Sequence, residues 1–97
     1  MTKTITLQTA ADVLRECLDE GALTQVDVSR RTGIPASRLS ELKKGERRFT
    51  AEHDLRLCHF YSLTPGYFLN LQTAADLYNA RAEKWTEIER EVVPISA

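Results

Sequence analysis

Long apolar runs are missing from this 97-residue chain. No stretch approaches the ~20 residues needed to span a bilayer, and Met1-Thr2-Lys3-Thr4-Ile5 has no hydrophobic segment of a secretory signal. Cysteine is scarce: Cys17 and Cys58 sit inside periodic apolar patterns and form no Cys-x-x-Cys pair. That is the placement of reduced core thiols in a cytosol, not of a disulfide framework. Glycine and proline are few, four and three, and there is no linker, internal repeat, low-complexity tract or glycine-rich phosphate loop. His53, Cys58 and His59 come without a fourth ligand or a ligand-spacing motif. A Cys58–His59 nucleophile pair lacks an orienting acid and oxyanion donors. The expectation is a cytoplasmic protein that is not an enzyme, holds no metal and needs no cofactor.

What is present is enough for one domain. With 42% hydrophobic and 28% charged residues, the chain can bury a core without a staple. Its net charge of −1 hides an uneven distribution. Arg30 to Arg48 holds seven basic residues against two acidic ones, a balance of +5, while the rest of the chain stands at −6. A basic middle between acidic flanks suggests two faces with different partners, the basic one suited to a polyanion such as DNA. Chance patchiness of a solvated surface is the plainer alternative.

The punctuation marks helices throughout, predicting an all-α fold. Residues 1–8 form an N-terminal arm, 9–91 the domain, and 92–97 a short extended tail. Thr9 and Asp12 make a capping-box start, after which Ala10, Val13, Leu14, Cys17 and Leu18 recur at helical spacing up to Gly21. Thr24 and Asp27 repeat the signal for helix 2, Gln25 to Thr32, with Val26 and Val28 apolar and Gly33 closing it. Ile34-Pro35 makes a corner, and helix 3 runs from Ala36 to Lys44 with Leu39 and Leu42 inward. Thr50 caps helix 4, whose buried positions are read as Ala51, Leu55, Cys58, His59 and Tyr61 or Leu57. Thr64-Pro65 then starts helix 5, running to about Glu89, ~37 Å at 1.5 Å per residue. Its seam is Phe68, Leu71, Ala75, Tyr78, Ala82 and Trp85, and it outlasts the domain it starts in.

Helices 2 and 3 about a tight corner have the helix-turn-helix layout, in which the second helix enters the major groove. With Ile34, Leu39 and Leu42 as anchors, Ala36, Ser37, Ser40 and Glu41 look outward. Small leading residues allow close approach to base edges, and Arg38, Lys43 and Lys44 can reach phosphates on either side.

Leu23-Thr24-Gln25 through Arg30-Arg31-Thr32-Gly33-Ile34, then Leu39-Ser40-Glu41-Leu42-Lys43-Lys44-Gly45, resembles the lambda-repressor-like (Xre family) helix-turn-helix domain. The continuation Gly45-Glu46-Arg47-Arg48-Phe49-Thr50-Ala51-Glu52, with Leu63-Thr64-Pro65-Gly66-Tyr67-Phe68-Leu69-Asn70-Leu71-Gln72 and Asp76-Leu77, resembles HigA-type antitoxins. The likeness covers residues 9 to about 82. It departs from the family at Thr9-Ala10-Ala11-Asp12, where His-Pro-Gly-Glu is usual, and at Tyr67-Phe68, where Phe-Trp is usual.

The resemblance implies a five-helix domain with an extended C-terminal helix. It also implies a homodimer that binds operator DNA to repress its own operon and neutralises a small basic toxin, a RelE/HigB-like mRNA endonuclease. A stand-alone Xre-type repressor without a toxin is the alternative. By the same resemblance Gln25 would hold a phosphate and brace helix 3, and Ala36, Ser37 and Glu41 would read bases. Arg38 and Lys44 would flank them on phosphates, with Arg47, Arg48 and Thr50 gripping the backbone. Glu41 can only accept, as from cytosine N4, and an i, i+3 pair with Arg38 or Lys44 is its other reading. The free half of the helix-5 seam (Leu71, Ala75, Tyr78, Ala82, Trp85) is read as the dimer interface, with folding back over helix 1 as the alternative. Asp12 and Glu16 on helix 1, and Glu83, Glu87 and Glu91 on helix 5, are candidates for a basic toxin, or else ordinary solvated faces.

Overall fold

The computed structural model describes residues 8–96; apart from Gln8 the N-terminal arm lies outside them, as does the last residue of the tail. Among the described residues all regular structure is helical: α1 (Ala10–Glu20), α2 (Gln25–Thr32), α3 (Ala36–Lys43), α4 (Ala51–Tyr61) and α5 (Tyr67–Glu91). The all-α, five-helix reading holds. No helix among the described residues is long and apolar enough to cross a membrane.

Three of the helix starts are made locally. Thr9 and Asp12, Thr24 and Asp27, and Thr50 and His53 each form a reciprocal capping box, satisfying amide groups that the first turn leaves without partners. At the corner Gly33 takes φ +79°, the left-handed cap that glycine adopts without strain. The Thr32 hydroxyl accepts from Ile34 N (3.2 Å), and Ser29 Oγ donates to Ile34 O (2.6 Å), so the turn between α2 and α3 is fixed by side chains as well as by backbone.

The core gathers one face from every helix. Leu14, Ile34, Leu39, Leu42, Leu57 and Phe68 are fully buried, and the Phe49 and Phe68 rings stack 5.4 Å apart. α1 packs on α3 and α5, α2 on α3 and α4, and α4 on α5. The proximal part of α5 is thereby held, while beyond Ala75 every residue is exposed. The helix projects from the domain, giving the molecule a long dimension of 54 Å.

Three expectations need correction. On α4 the inward positions are His53, Asp54, Leu57 and Cys58, whereas Ala51, Leu55 and His59 face outward. The apolar residues alone suggest a register turned away from the true one because a carboxylate occupies an inward place. On α2, Val26 points to solvent and the single inward valine is Val28. Finally, α5 begins at Tyr67, not Pro65, and ends at Glu91. Thr64 does not cap it; its carbonyl closes a turn to Tyr67 N.

The cap comes from Asp54 across the core. Its Oδ2 accepts from Gly66 N (2.6 Å), and its Oδ1 accepts from Phe68 N (2.9 Å) and Leu69 N (3.1 Å). Gly66, at φ +97°, turns these amides toward it. A buried carboxylate (1% exposed) is tolerated because it takes charge-assisted bonds from the positive end of a helix. Asp54→Ala leaves three amides without their acceptor, and chemical denaturation should register a loss of about 3 kcal/mol. Asp54→Asn, which keeps one acceptor oxygen, should fall between. An alanine variant as stable as the wild type would remove Asp54 from this role.

Candidate nucleic-acid interface

α3 is pinned on its inner side by Leu39 and Leu42, which leaves Ala36 and Ser37 fully outward at its leading end and Ser40 and Glu41 half-buried behind them. Gln25, first residue of α2, reaches across the corner: its Nε2 donates to Ala36 O (3.2 Å), and its Oε1 accepts from Lys43 Nζ (2.9 Å). The brace on α3 expected of Gln25 is therefore made in the free protein. Lys43, expected to point to phosphate, is turned into the brace, and Lys44 stays exposed, without an ion pair among the described residues.

Behind α3 lies an open cleft of about 300 Å³ lined by Pro35, Arg38, Arg47, Thr50, His53 and Arg56. Glu41 stands between two of its arginines, with Arg47 Nε donating at 2.7 Å and Arg38 Nε in a looser ion-pair contact at 3.8 Å. The hydrogen bond from Arg47 holds the Glu41 carboxyl below the ordinary carboxylate range. Glu41 thus pairs with Arg38, as the i, i+3 spacing suggests, and more closely with Arg47, but with no Lys44 contact among the described residues. Thr50 spends its hydroxyl on the α4 cap, accepting from His53 N at 3.1 Å. Arg48 is held in a fork by Asp76 of α5.

Three contributors were not found by sequence reasoning. Arg56 Nη1 donates to Thr32 O (2.9 Å), closing the end of α2, and its Nε donates to Glu52 (2.9 Å). A Cβ at Gly33 would stand 2.6 Å from that Nη1, so besides the strain of its positive φ a side chain there would push the Arg56 guanidinium off Thr32 O. The i, i+4 spacing of Glu52 and Arg56 was a signal for the pair but not for the cross-corner bond. Gln72 on α5 accepts from Phe49 N (2.8 Å) and donates to Phe49 O (3.1 Å), fixing the backbone of the 45–50 loop that carries Arg47 and Arg48. Asp76 is the third.

The remaining candidates are scattered. Asp12 is committed to the α1 cap and to Arg15 (2.6 Å), and Glu16 accepts from Gln8 (2.9 Å). Glu83, Glu87 and Glu91 are exposed on distal α5. The α5 seam divides: Leu71 and Ala75 are half-buried on the domain, while Tyr78, Ala82 and Trp85 face outward, Trp85 beneath the Arg81 guanidinium at 4.3 Å. His53 is in the α4 cap, Cys58 in the core and His59 on the surface, so these three do not converge.

A glycine-cornered pair of short helices, the second turned outward and rimmed by cations, defines a helix-turn-helix DNA-binding protein. Residues 13–74 match the Cro/C1-type HTH DNA-binding domain. An addiction module antidote protein of a HigA family from Coxiella burnetii is 30% identical, with a TM-score of 0.80 over 93% of this chain and 99% of that one. The Pseudomonas aeruginosa antitoxin HigA with the higBA promoter is 23% identical, with a TM-score of 0.80 over 93% of this chain and 99% of that one. PA4674 from the same organism, in complex with its 28-base-pair operator DNA, is 22% identical, with a TM-score of 0.82 over 93% of this chain and 100% of that one. These last two share the fold. No curated protein matches the chain in sequence. The chain belongs to the HigA family of antitoxins, built on a Cro/C1-type helix-turn-helix domain, and it is not an enzyme.

The α4 cap carries a pH dependence. His53 Nδ1 accepts from Thr50 N (3.1 Å), which requires the neutral ring. Burial first, then Arg38 on α3, Arg47 in the loop and Arg56 on α4, lower the His53 pKa from 6.5, with Glu52 opposing. A depressed folded pKa means the unfolded chain binds the proton more readily, so the contribution is complete above the unfolded value and is lost as pH falls through the folded one. Thermal melts should show stability dropping as pH falls below about 6.5. His53→Gln, which can keep the acceptor without titrating, should flatten that drop; an unchanged profile would refute the assignment.

Proposed function

We propose that this protein is a repressor-antitoxin: a homodimer that binds operator DNA through α3 and neutralises a small basic mRNA endonuclease of the RelE/HigB kind. The observation that carries the reading is the outward face of α3, small at its leading end and surrounded by Arg38, Lys44, Arg47 and Arg48, on a HigA-family fold. Ala36 and Ser37 lie closest to base edges, with Glu41 ordering the two arginines that meet phosphate. Gln25 and Thr50 complete the backbone contacts at the two helix starts. Proteins of this fold solved with operator or promoter DNA support duplex DNA as the partner.

The partner for dimerisation is a second copy, met along α5. Tyr67, Leu77, Tyr78, Trp85, Ile88 and Val92 are all exposed. At 3.6 residues per turn they fall in one band about 100° wide, interrupted by Asn70 and by Arg81 stacked on Trp85 and still wide enough for packing. One helix-turn-helix buries little DNA surface, and two copies supply two half-sites about one helical turn apart. Glu83, Glu87 and Glu91 form a separate acidic edge of the same helix. They are the better toxin face, because the α1 candidates Asp12 and Glu16 already have partners.

Two experiments bear on this. Arg38→Ala/Lys44→Ala should weaken duplex binding and lower the salt slope by about two units, yet still rescue growth against the co-expressed toxin of the adjacent gene. Glu83/Glu87/Glu91→Lys should do the reverse, and the two-face reading fails if the acidic variant neutralises while the basic one does not. Light scattering should find a dimer that Trp85→Glu dissociates; a wild type that is monomeric at high micromolar concentration would overturn the α5 interface.

A further inference from the structure

Arg48 and Asp76 stand 28 residues apart in sequence and meet in a two-point fork, Nη1 on Oδ1 at 3.3 Å and Nη2 on Oδ2 at 2.5 Å. Both side chains are exposed, 68% and 49%. A guanidinium presents the same fork to a phosphate, so the carboxylate occupies the donors that DNA would take. The geometry points to Asp76 as a positioning residue that holds Arg48 away from the DNA backbone and so sets the affinity of the interface. The inference rests on the reading above that the 45–50 loop faces DNA.

The surroundings confine this competition to one side chain. Gln72, one turn before Asp76 on α5, ties Phe49 through both its N–H and its carbonyl. The Phe49 ring is buried against Phe68. The loop backbone therefore stays in place whether or not Arg48 is paired. Arg47, the neighbouring cation, is independently engaged with Glu41. Exchange of Asp76 for phosphate asks only for a rotamer change of an exposed arginine, since an exposed ion pair is a weak restraint. Asp76 thus occupies the Arg48 donors in the free protein, and a phosphate that takes them must first displace the pair.

The test is a double-mutant cycle on the full chain, using a random-sequence duplex of about 30 base pairs because phosphate contacts carry no sequence information. Asp76→Asn should tighten binding about threefold to fivefold. Arg48→Ala should weaken binding, and Arg48→Ala/Asp76→Asn should match Arg48→Ala alone. Equal gains from Asp76→Asn with and without Arg48 would reduce the effect to lost surface charge and overturn the proposal. Unchanged or weaker binding by Asp76→Asn, with an unaltered melting temperature, would overturn it as well. If Arg48→Ala binds like the wild type while Arg38→Ala/Lys44→Ala does not, Arg48 is outside the interface. If no variant and no wild type binds duplex even at low salt, the DNA reading itself falls.

Discussion

The buried carboxylate of Asp54 fixes where α5 begins and the direction in which it leaves the domain. Gly66, Phe68 and Leu69 all donate to it, and none of these amides has a local cap available, because Gly66 offers no side chain. Everything that distal α5 can do depends on that junction. So does the 45–50 loop, since Gln72 and Asp76 reach it from the first turns of the helix that Asp54 starts. A buried carboxylate is costly unless it is hydrogen-bonded, and Asp54 takes three amide hydrogens. Here it is retained at a place where one group orders two elements at once.

Much of the fold was legible because its signals are local. A threonine and an acid three residues later announce α1 and α2, and Gly33 followed by Pro35 announces the corner. The apolar spacing of Leu39 and Leu42 determines which side of α3 is free. Where the pattern misled, the cause was a partner distant in the chain. Asp54 reads as a surface acid until Gly66 is folded against it, and this shifted the inferred face of α4. Thr64-Pro65 looks like a helix start, but the cap delivered from α4 acts two residues later.

The candidate site divides in the same way. Ala36, Ser37 and Lys44 stand outward as the helix-turn-helix pattern requires. The cations around them cannot be placed from spacing alone, because each has a second suitor: Lys43 goes to Gln25, Arg47 to Glu41, Arg48 to Asp76. Arg56 escaped notice because its bond to Thr32 O crosses the corner. A local surplus of positive charge identifies a face, whereas only the fold assigns each cation its partner.

Three faces of α5 serve three environments: Phe68, Leu71 and Ala75 toward the domain, Tyr78, Trp85 and Ile88 in the apolar band, and Asp76, Glu83 and Glu87 along the acidic edge. What separates them is helical phase. Each residue advances the surface by about 100°, so a one-residue insertion between Asp76 and Glu83 would rotate the distal acids and Trp85 out of line with everything before them. Substitutions change one face at a time; a change of length exchanges the faces. Seven residues, close to two turns, is the smallest insertion that returns all three nearly to register, so the span of this helix is set in units of turns.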